Sequence, residues 1–273
     1  MRAVHVYCGG MEPLSARRTE ARIVKPHRLV GLIAAGLLCA GAAPPVRGED
    51  HQPWDLLLKR YVDADGRVAY RQLKEYDLPV LSKYLASLGE ARIDGLPQKE
   101  QLAFWINAYN AVIVAGILDG YSAENTFKRY RLFKSYHQVI AGQARSPEDI
   151  EHGIIRPRFH DPRTHFVLVC ASSSCPTLRQ EAYVGSRLDE QLDDQARRFL
   201  GDARRNRIDP ATGTIEVSRI FDWFKEDFAR DGKTLADWLA PYLSPEQGQL
   251  LRQKAPSFLD YDWTMNAQPG QRP

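Results

Sequence analysis

The chain has few cysteines and little excess charge. Its 273 residues include four cysteines, and 37 basic residues offset 34 acidic ones to leave a net charge of +3. Because the basic and acidic residues nearly balance, the composition gives no sign of a basic surface that would bind nucleic acid, and we expect no nucleic-acid partner. Neither an internal repeat nor a low-complexity run is present. Hydrophobic residues make up 44% of the chain, so a hydrophobic core can form without stabilisation by a metal ion or a disulfide bond.

The first 48 residues are typical of a targeting segment. Basic residues precede the apolar stretch Leu29–Ala43, and small residues at 41–43 and Val46–Gly48 offer cleavage sites. The apolar stretch is too short and wrongly flanked for a spanning helix, although an uncleaved anchor helix is the alternative. We therefore predict a signal peptide over 1–48, with Met11 as an alternative start. We expect an exported protein, periplasmic or extracellular, with no spanning helix in the mature chain.

The remaining pattern predicts an α+β fold. We expect a single, mostly helical globular domain over 49–265 and a flexible tail over 266–273. The β-branched apolar run His165–Ala171 predicts a buried strand at the centre of a small sheet. The segment Lys99–Leu118 is apolar all round, which predicts a buried central helix.

Two asparagines interrupt this predicted central helix. Asn107 and Asn110 are three positions apart, so they lie near one another on a helix. A buried amide left unpaired costs roughly 1–3 kcal/mol, so each side chain needs a specific partner. Either they bind neighbouring loops and helix ends, or they contact a substrate directly.

Several blocks of the chain carry a family resemblance. They are YVDADGRVAY, QLAFWINAYNAVIVAGIL, SPEDIEHGIIR, HFVLVCASSSCPTLRQEAY and IFDWFKEDF. Together, from about Trp54 to Trp263, the chain resembles the domain-of-unknown-function 547 family. The resemblance implies one domain and an order of elements, but it transfers neither a reaction nor a catalytic residue.

Cys175 is the strongest candidate for a catalytic residue. It follows the predicted strand and a serine-rich loop, and Cys175-Pro176 predicts the start of a helix that runs through Tyr183. A helix N-terminus stabilises a thiolate, and the turn amides could hold an oxyanion. Ser172 and Ser174 would help to line that turn. The alternatives are an inert thiol or a structural disulfide with Cys170.

A nucleophilic cysteine needs a base. His152 lies on the helix that Ser146 caps, and His165 begins the predicted strand, too far along it to reach Cys175 unaided. Glu151 could orient a histidine or act as an acid. Because Glu151 and His152 are adjacent on a helix, we expect at most one of them to face a given pocket.

Two functions remain open. The first is an exported thiol-dependent hydrolase or acyl transferase on peptide or amide bonds, with an envelope component as a possible substrate. A cysteine at a helix start beside a sheet is also the papain-like and transglutaminase-like arrangement, which is an analogy of architecture. The second is a noncatalytic envelope binding module with a Cys170–Cys175 disulfide. No H-E-x-x-H or C-x-x-C spacing occurs, so we expect neither metal nor cofactor.

Overall fold

The computed structural model describes residues 50–273, and the predicted signal peptide over 1–48 lies outside them. The α-helical segments are α1 (Gln52–Tyr61), α2 (Tyr70–Gln72), α3 (Leu78–Glu90), α4 (Gln98–Leu118), α5 (Thr126–Tyr130), α6 (Pro147–Ile150), α7 (Arg156–Phe159), α8 (Leu188–Gly201), α9 (Ile220–Trp223), α10 (Lys225–Phe228), α11 (Leu235–Leu239) and α12 (Pro245–Gln253). The strands are β1 (Gln138–Ile140), β2 (Gln143–Arg145), β3 (Arg207–Asp209), β4 (Thr214–Val217) and β5 (Ser257–Phe258). The prediction of a mostly helical α+β body is confirmed.

Helix α4 is the centre of the structure. Every residue from Gln101 to Leu118 is buried, as expected for a helix that is apolar on all its faces. The helix is long and apolar enough to cross a membrane, but in this fold it is covered by protein along its length. The predicted central helix is therefore confirmed.

Two hydrophobic clusters fill the interior. The first surrounds α4, and the second is rich in aromatic rings from the segments α8 to α11. The segment before Cys170 joins them, because Phe166 packs into the second cluster while Val167 and Val169 pack into the first. This segment is therefore held on both sides by apolar contacts.

The predicted strand at His165–Ala171 is wrong. Pro162–Phe166 forms a 3₁₀ helix, and the next residues make no strand pairing until Ser172 bridges to Met265. The small sheets lie elsewhere: β1 pairs with β2, and β3, β4 and β5 form a three-stranded sheet. The apolar run 165–171 is buried, as its composition requires. Side chains, and not a neighbouring strand, form the hydrogen bonds to its backbone.

The predicted helix after Cys175 is also wrong. Residues 176–179 have no regular structure, so Cys175 does not lie at a helix N-terminus. Without that helix or an adjoining sheet, a papain-like or transglutaminase-like architecture is unsupported. Cys175 therefore gains no stabilisation of its thiolate from a helix dipole.

A wide turn interrupts the helical segment that Ser146 begins. Ser146 caps its start as predicted and forms a capping box with Asp149. Helices α6 and α7 are continuous through a π-helical turn, Glu151–Ile155, in which the Arg156 N–H donates to the Glu151 carbonyl. Pro157, just beyond the turn, has no N–H to offer an α-helical hydrogen bond. Turns of this kind are frequent at functional sites.

A tight turn lies between Tyr61 and Tyr70. Val62 pairs with Val68 across it, and Gly66 adopts a φ of +73° at its tip. The predicted tail over 266–273 runs beside this turn, where the Val68 N–H donates to the Asn266 carbonyl at 2.9 Å.

Replacing Gly66 with alanine should destabilise the fold more than the same change at Gly213. Both glycines have positive φ, which costs an L-residue about 1–3 kcal/mol. A Cβ at Gly66 would also lie 2.5 Å from the Thr177 Cβ and 2.8 Å from the Leu178 backbone nitrogen, whereas a Cβ at Gly213 meets nothing within 4 Å. The overlap should add roughly 1–3 kcal/mol to the loss for Gly66→Ala. Urea unfolding of the two variants measures the difference, and equal losses would contradict this packing.

Candidate functional site

One cavity collects the residues that we predicted to be catalytic. Cys175, His152, His165 and Glu151 all line it, together with Cys170. Its volume is about 60 Å³ and its walls are mostly apolar, with aromatic rings from α9 and from the C-terminal segment. Six separate parts of the chain therefore meet at one small, partly enclosed space.

The residues that we predicted to bind substrate lie outside the wall of this cavity. The Asn107 side chain bonds the backbone N–H and carbonyl of Tyr183 at 3.0 and 2.7 Å. Asn110 does the same for the Val169 N–H and the Val167 carbonyl at 3.0 and 2.9 Å. Both amides thus hold adjacent loops against α4.

The two predicted serines also lie behind the cavity wall. The Ser172 hydroxyl is 3.0 Å from the Cys170 sulfur, so it touches the site from behind. The Ser174 hydroxyl accepts a hydrogen bond from the Asp262 N–H at 2.9 Å and fastens the C-terminal segment. Ser172 therefore affects the chemistry of a thiol, whereas Ser174 holds the loop in place.

Cys175 is a buried thiol with little nucleophilic character. Its sulfur accepts the Cys170 N–H at 2.8 Å and lies 3.8 Å from the Leu168 carbonyl, to which the thiol donates. Burial raises the pKa of the Cys175 thiol well above its ordinary value, and the neighbouring Cys170 thiol raises it further. Cys175 is therefore neutral at physiological pH and supports the loop.

The Cys170 thiol, in contrast, is more acidic than an ordinary cysteine thiol. It is half-buried, and its sulfur lies 3.0 Å from the Ser172 hydroxyl and 3.3 Å from the Tyr261 hydroxyl. Burial raises the pKa of the Cys170 thiol, but hydrogen bonds from Cys175, Ser172 and Tyr261 outweigh it and lower the pKa to about 7. Ala171, the next residue, adopts a φ of +60°, a strained conformation for a residue other than glycine. A strained turn thus presents the more acidic thiol to the cavity.

His165 is held by a half-buried carboxylate. Its Nε2 lies 2.8 Å from Asp227 Oδ2, and Arg156 Nε donates to the same oxygen at 2.6 Å. Burial raises the pKa of Asp227, but the bonds from His165 and Arg156 outweigh it and hold that pKa well below its usual range. An ionised carboxylate only accepts hydrogen bonds, so Nε2 carries a proton and Nδ1 of the neutral ring keeps its lone pair. His165 is therefore equipped to act as a base.

In His152, unlike His165, the ring nitrogen that its partner leaves free is the one that carries the proton. Its Nδ1 lies 2.6 Å from Arg156 Nη1, and a guanidinium group can only donate. Nδ1 therefore accepts, and the proton of the neutral ring is on Nε2. His152 is thus equipped to donate a hydrogen bond rather than to take a proton.

Glu151 and His152 both line the cavity, although we expected only one of them to face it. They begin the π-helical turn, in which each residue rotates less about the axis than in an α-helix. The Tyr109 hydroxyl donates to Glu151 Oε2 at 3.1 Å. Among residues 50–273, no group of three or more histidine, cysteine, aspartate or glutamate side chains could hold a metal ion.

Sequence reasoning overlooked three parts of this site. It treated Cys170 only as a disulfide partner, and it gave no role to Asp227 or Tyr261. Asp227 is 62 residues from His165, and Tyr261 is 91 residues from Cys170. No local spacing signals contacts at such separations.

Comparison with known proteins gives a match to a family model. Residues 93–200 match the family model described as "Protein of unknown function, DUF547". The match includes α4, the π-helical turn and both cysteines, but it stops before Asp227 and Tyr261. Neither the curated proteins nor the solved structures gave a match. The family description assigns no reaction, so a function must be argued from the site.

Proposed function

We propose that this chain, which carries a DUF547 domain over residues 93–200, is a thiol-dependent hydrolase or acyl transferase acting on peptide or amide bonds. One observation carries the proposal: a thiol of lowered pKa, Cys170, shares a small cavity with a histidine that a carboxylate orients. A thiolate beside an oriented base is the requirement for nucleophilic catalysis by cysteine. Cys170, rather than Cys175, is the proposed nucleophile.

The proposed reaction forms a thioester on Cys170. His165 Nδ1 takes the thiol proton, the sulfur attacks the amide carbonyl, and the leaving amine departs with the proton from the imidazolium. Asp227 stabilises that imidazolium through Nε2. The Nε2–H of His152 is the proposed donor to the oxyanion. Water or a second amine then takes the acyl group and restores the thiol.

Among the described residues, no hydrogen bond joins either thiol to a histidine. Catalytic hydrogen bonds are often long before a substrate binds and tighten in the complex. We therefore expect the Cys170 thiol and His165 to come within hydrogen-bond distance when an acyl group enters the cavity.

We place the proposed activity in the periplasm or outside the cell, on an envelope component that contains amide bonds. The support for this placement is the charged and apolar pattern of residues 1–48. The alternative is a noncatalytic envelope binding module, and it requires a Cys170–Cys175 disulfide. Both thiols are free in this structure.

Acetylation by p-nitrophenyl acetate tests the proposed nucleophile without knowledge of the substrate. The protein should release about one equivalent of p-nitrophenol in a burst, and peptide mass spectrometry should find the acetyl group on Cys170. Cys170→Ser should lose the burst, and Cys175→Ser should keep it. Asp227→Asn should slow turnover by about 10²-fold, because it removes the charge that stabilises the imidazolium.

Asp222→Asn, a change five positions earlier in the chain, is the matched control and should have no effect on turnover. An undiminished burst from Cys170→Ser, or an acetyl group found only at lysines, would overturn the proposal.

A further inference from the structure

The cavity wall carries a carboxylate that forms no ion pair with any residue from 50 to 273. Glu151 is half-buried, and its Oε2 accepts a hydrogen bond from the neutral Tyr109 hydroxyl at 3.1 Å. No ion pair to Glu151 occurs within residues 50–273. Its neighbour Glu148 also lines the cavity, but Lys134 neutralises it at 2.7 Å. Of these two carboxylates, Glu151 is the one that faces the cavity uncompensated.

The other charged groups near the cavity are already engaged. Arg156 binds Asp227 and donates to His152, and Asp227 in turn holds His165. None of these residues forms an ion pair with Glu151. A charge removed from water without a partner is costly, so a bound cation would be stabilised by Glu151 more than a neutral group would be.

Aromatic rings make up another wall of the same cavity. Trp223 and Trp263 stack with centroids 5.8 Å apart, and Tyr261 packs against both at 4.8 and 4.5 Å. The face of an aromatic ring attracts cations, most strongly for tryptophan. The guanidinium of Arg129 already lies 4.1 Å from the Trp263 ring centroid, so this group of rings holds one cation within the protein. Trp223 and Tyr261 remain as cavity walls.

We infer that this cavity is a binding site for a primary ammonium group on a short alkyl chain, with Glu151 as its counter-charge and Trp223 and Tyr261 as its apolar walls. A carboxylate combined with aromatic faces recognises an alkylammonium ion, and a volume of about 60 Å³ suits a small group. The inference rests on the proposed function and names one of its substrates as an amine-bearing compound, either an amide that carries the amine or a free amine that accepts the acyl group from Cys170. The amine belongs either to a lysine side chain of a peptide or to a free alkylamine.

Calorimetric titration of the protein with n-butylamine and with 1-butanol tests the inference at neutral pH. The two probes have the same alkyl chain, and only the amine is charged. We expect n-butylamine to bind at least ten times more tightly than 1-butanol, and Glu151→Gln to remove that preference. Glu90→Gln, an exposed carboxylate at the end of α3, is the matched control and should retain it. Thermal unfolding of Glu151→Gln establishes that the variant is folded.

Nα-acetyl-lysine methylamide distinguishes the two sources of the amine. Binding of this compound supports a peptide lysine, and binding of n-butylamine alone supports a free alkylamine. Equal affinity for n-butylamine and 1-butanol, or an unchanged preference in folded Glu151→Gln, would overturn the inference.

The titration also separates this inference from the proposed reaction. Cys170→Ser should lose acetylation and keep the preference for n-butylamine, because the thiol does not hold the ammonium group. Absence of acetylation in the unaltered protein together with retained binding would reject the thiol chemistry alone.

Discussion

Alkylation of the native protein by iodoacetamide should fall on Cys170, and its rate should rise as the pH increases through about 7. The thiolate is the reactive form, and bonds from Cys175, Ser172 and Tyr261 offset burial to bring the pKa of Cys170 to about 7. The rate should be low at pH 5, where the thiol is protonated, and should reach a plateau above pH 8. Cys175 has a pKa well above its ordinary value and is buried, so it should react only after unfolding.

Peptide mass spectrometry after timed labelling measures each cysteine separately. Cys175→Ser is the matched control, because it removes the buried thiol and leaves Cys170 available. A serine hydroxyl can still donate a hydrogen bond to Cys170, so the midpoint of this variant should stay near 7. A protein in which Cys175 reacts first would contradict the assignment of the two thiols. A protein that takes up label only after reduction would carry the disulfide and favour the noncatalytic alternative.

Replacing Asn110 with alanine should strongly destabilise the fold. Its amide bonds the Val167 carbonyl and the Val169 N–H inside the core, where no water can replace it. Leaving a buried backbone group unpaired costs about 1–3 kcal/mol, so the loss of both partners should reduce the free energy of unfolding by roughly 2–6 kcal/mol. Asn125→Ala removes an amide that caps α5 at the surface, and it should cost only about 1 kcal/mol. Urea unfolding monitored by tryptophan fluorescence compares the two.

The effect of Asn110→Ala should extend to the site. Asn110 fixes the backbone one residue before Cys170, and the Cys170 N–H in turn bonds the Cys175 sulfur. A loosened segment should weaken the contacts that lower the Cys170 pKa, so the midpoint for alkylation should shift upward. A loss of stability no larger than that of Asn125→Ala would show that α4 does not hold this segment in the way described.

Local patterns in the sequence predict much of the scaffold. The apolar residues around α4 require burial on every face, the Ser146–Asp149 box begins a helix, and the glycine at position 66 permits a tight turn. Each depends on residues within a few positions of one another, so the sequence alone specifies them. The need of Asn107 and Asn110 for specific partners also follows from a polar amide on a buried helix.

The strand predicted at His165–Ala171 is wrong because local sequence patterns do not show what pairs with the backbone of a segment. Its apolar composition correctly predicts burial, but a strand also needs a partner for its backbone. Asn110, at a separation of 59 residues, supplies part of that partner with a side chain. The same limitation affected Cys175, whose proline neighbour suggested a helix that the packing of the loop does not form.

The sequence by itself determined the buried helix, the capped helix start, the turn at Gly66 and the set of residues that could carry chemistry. Only the tertiary structure decided which of these residues meet and which cysteine is acidic. Cys170 and Cys175 are five positions apart and chemically identical in sequence, yet one pKa is lowered and the other raised. The difference arises from burial and from hydrogen-bond donors such as Tyr261, 91 residues away from Cys170, and contacts over such distances exist only once the chain has folded.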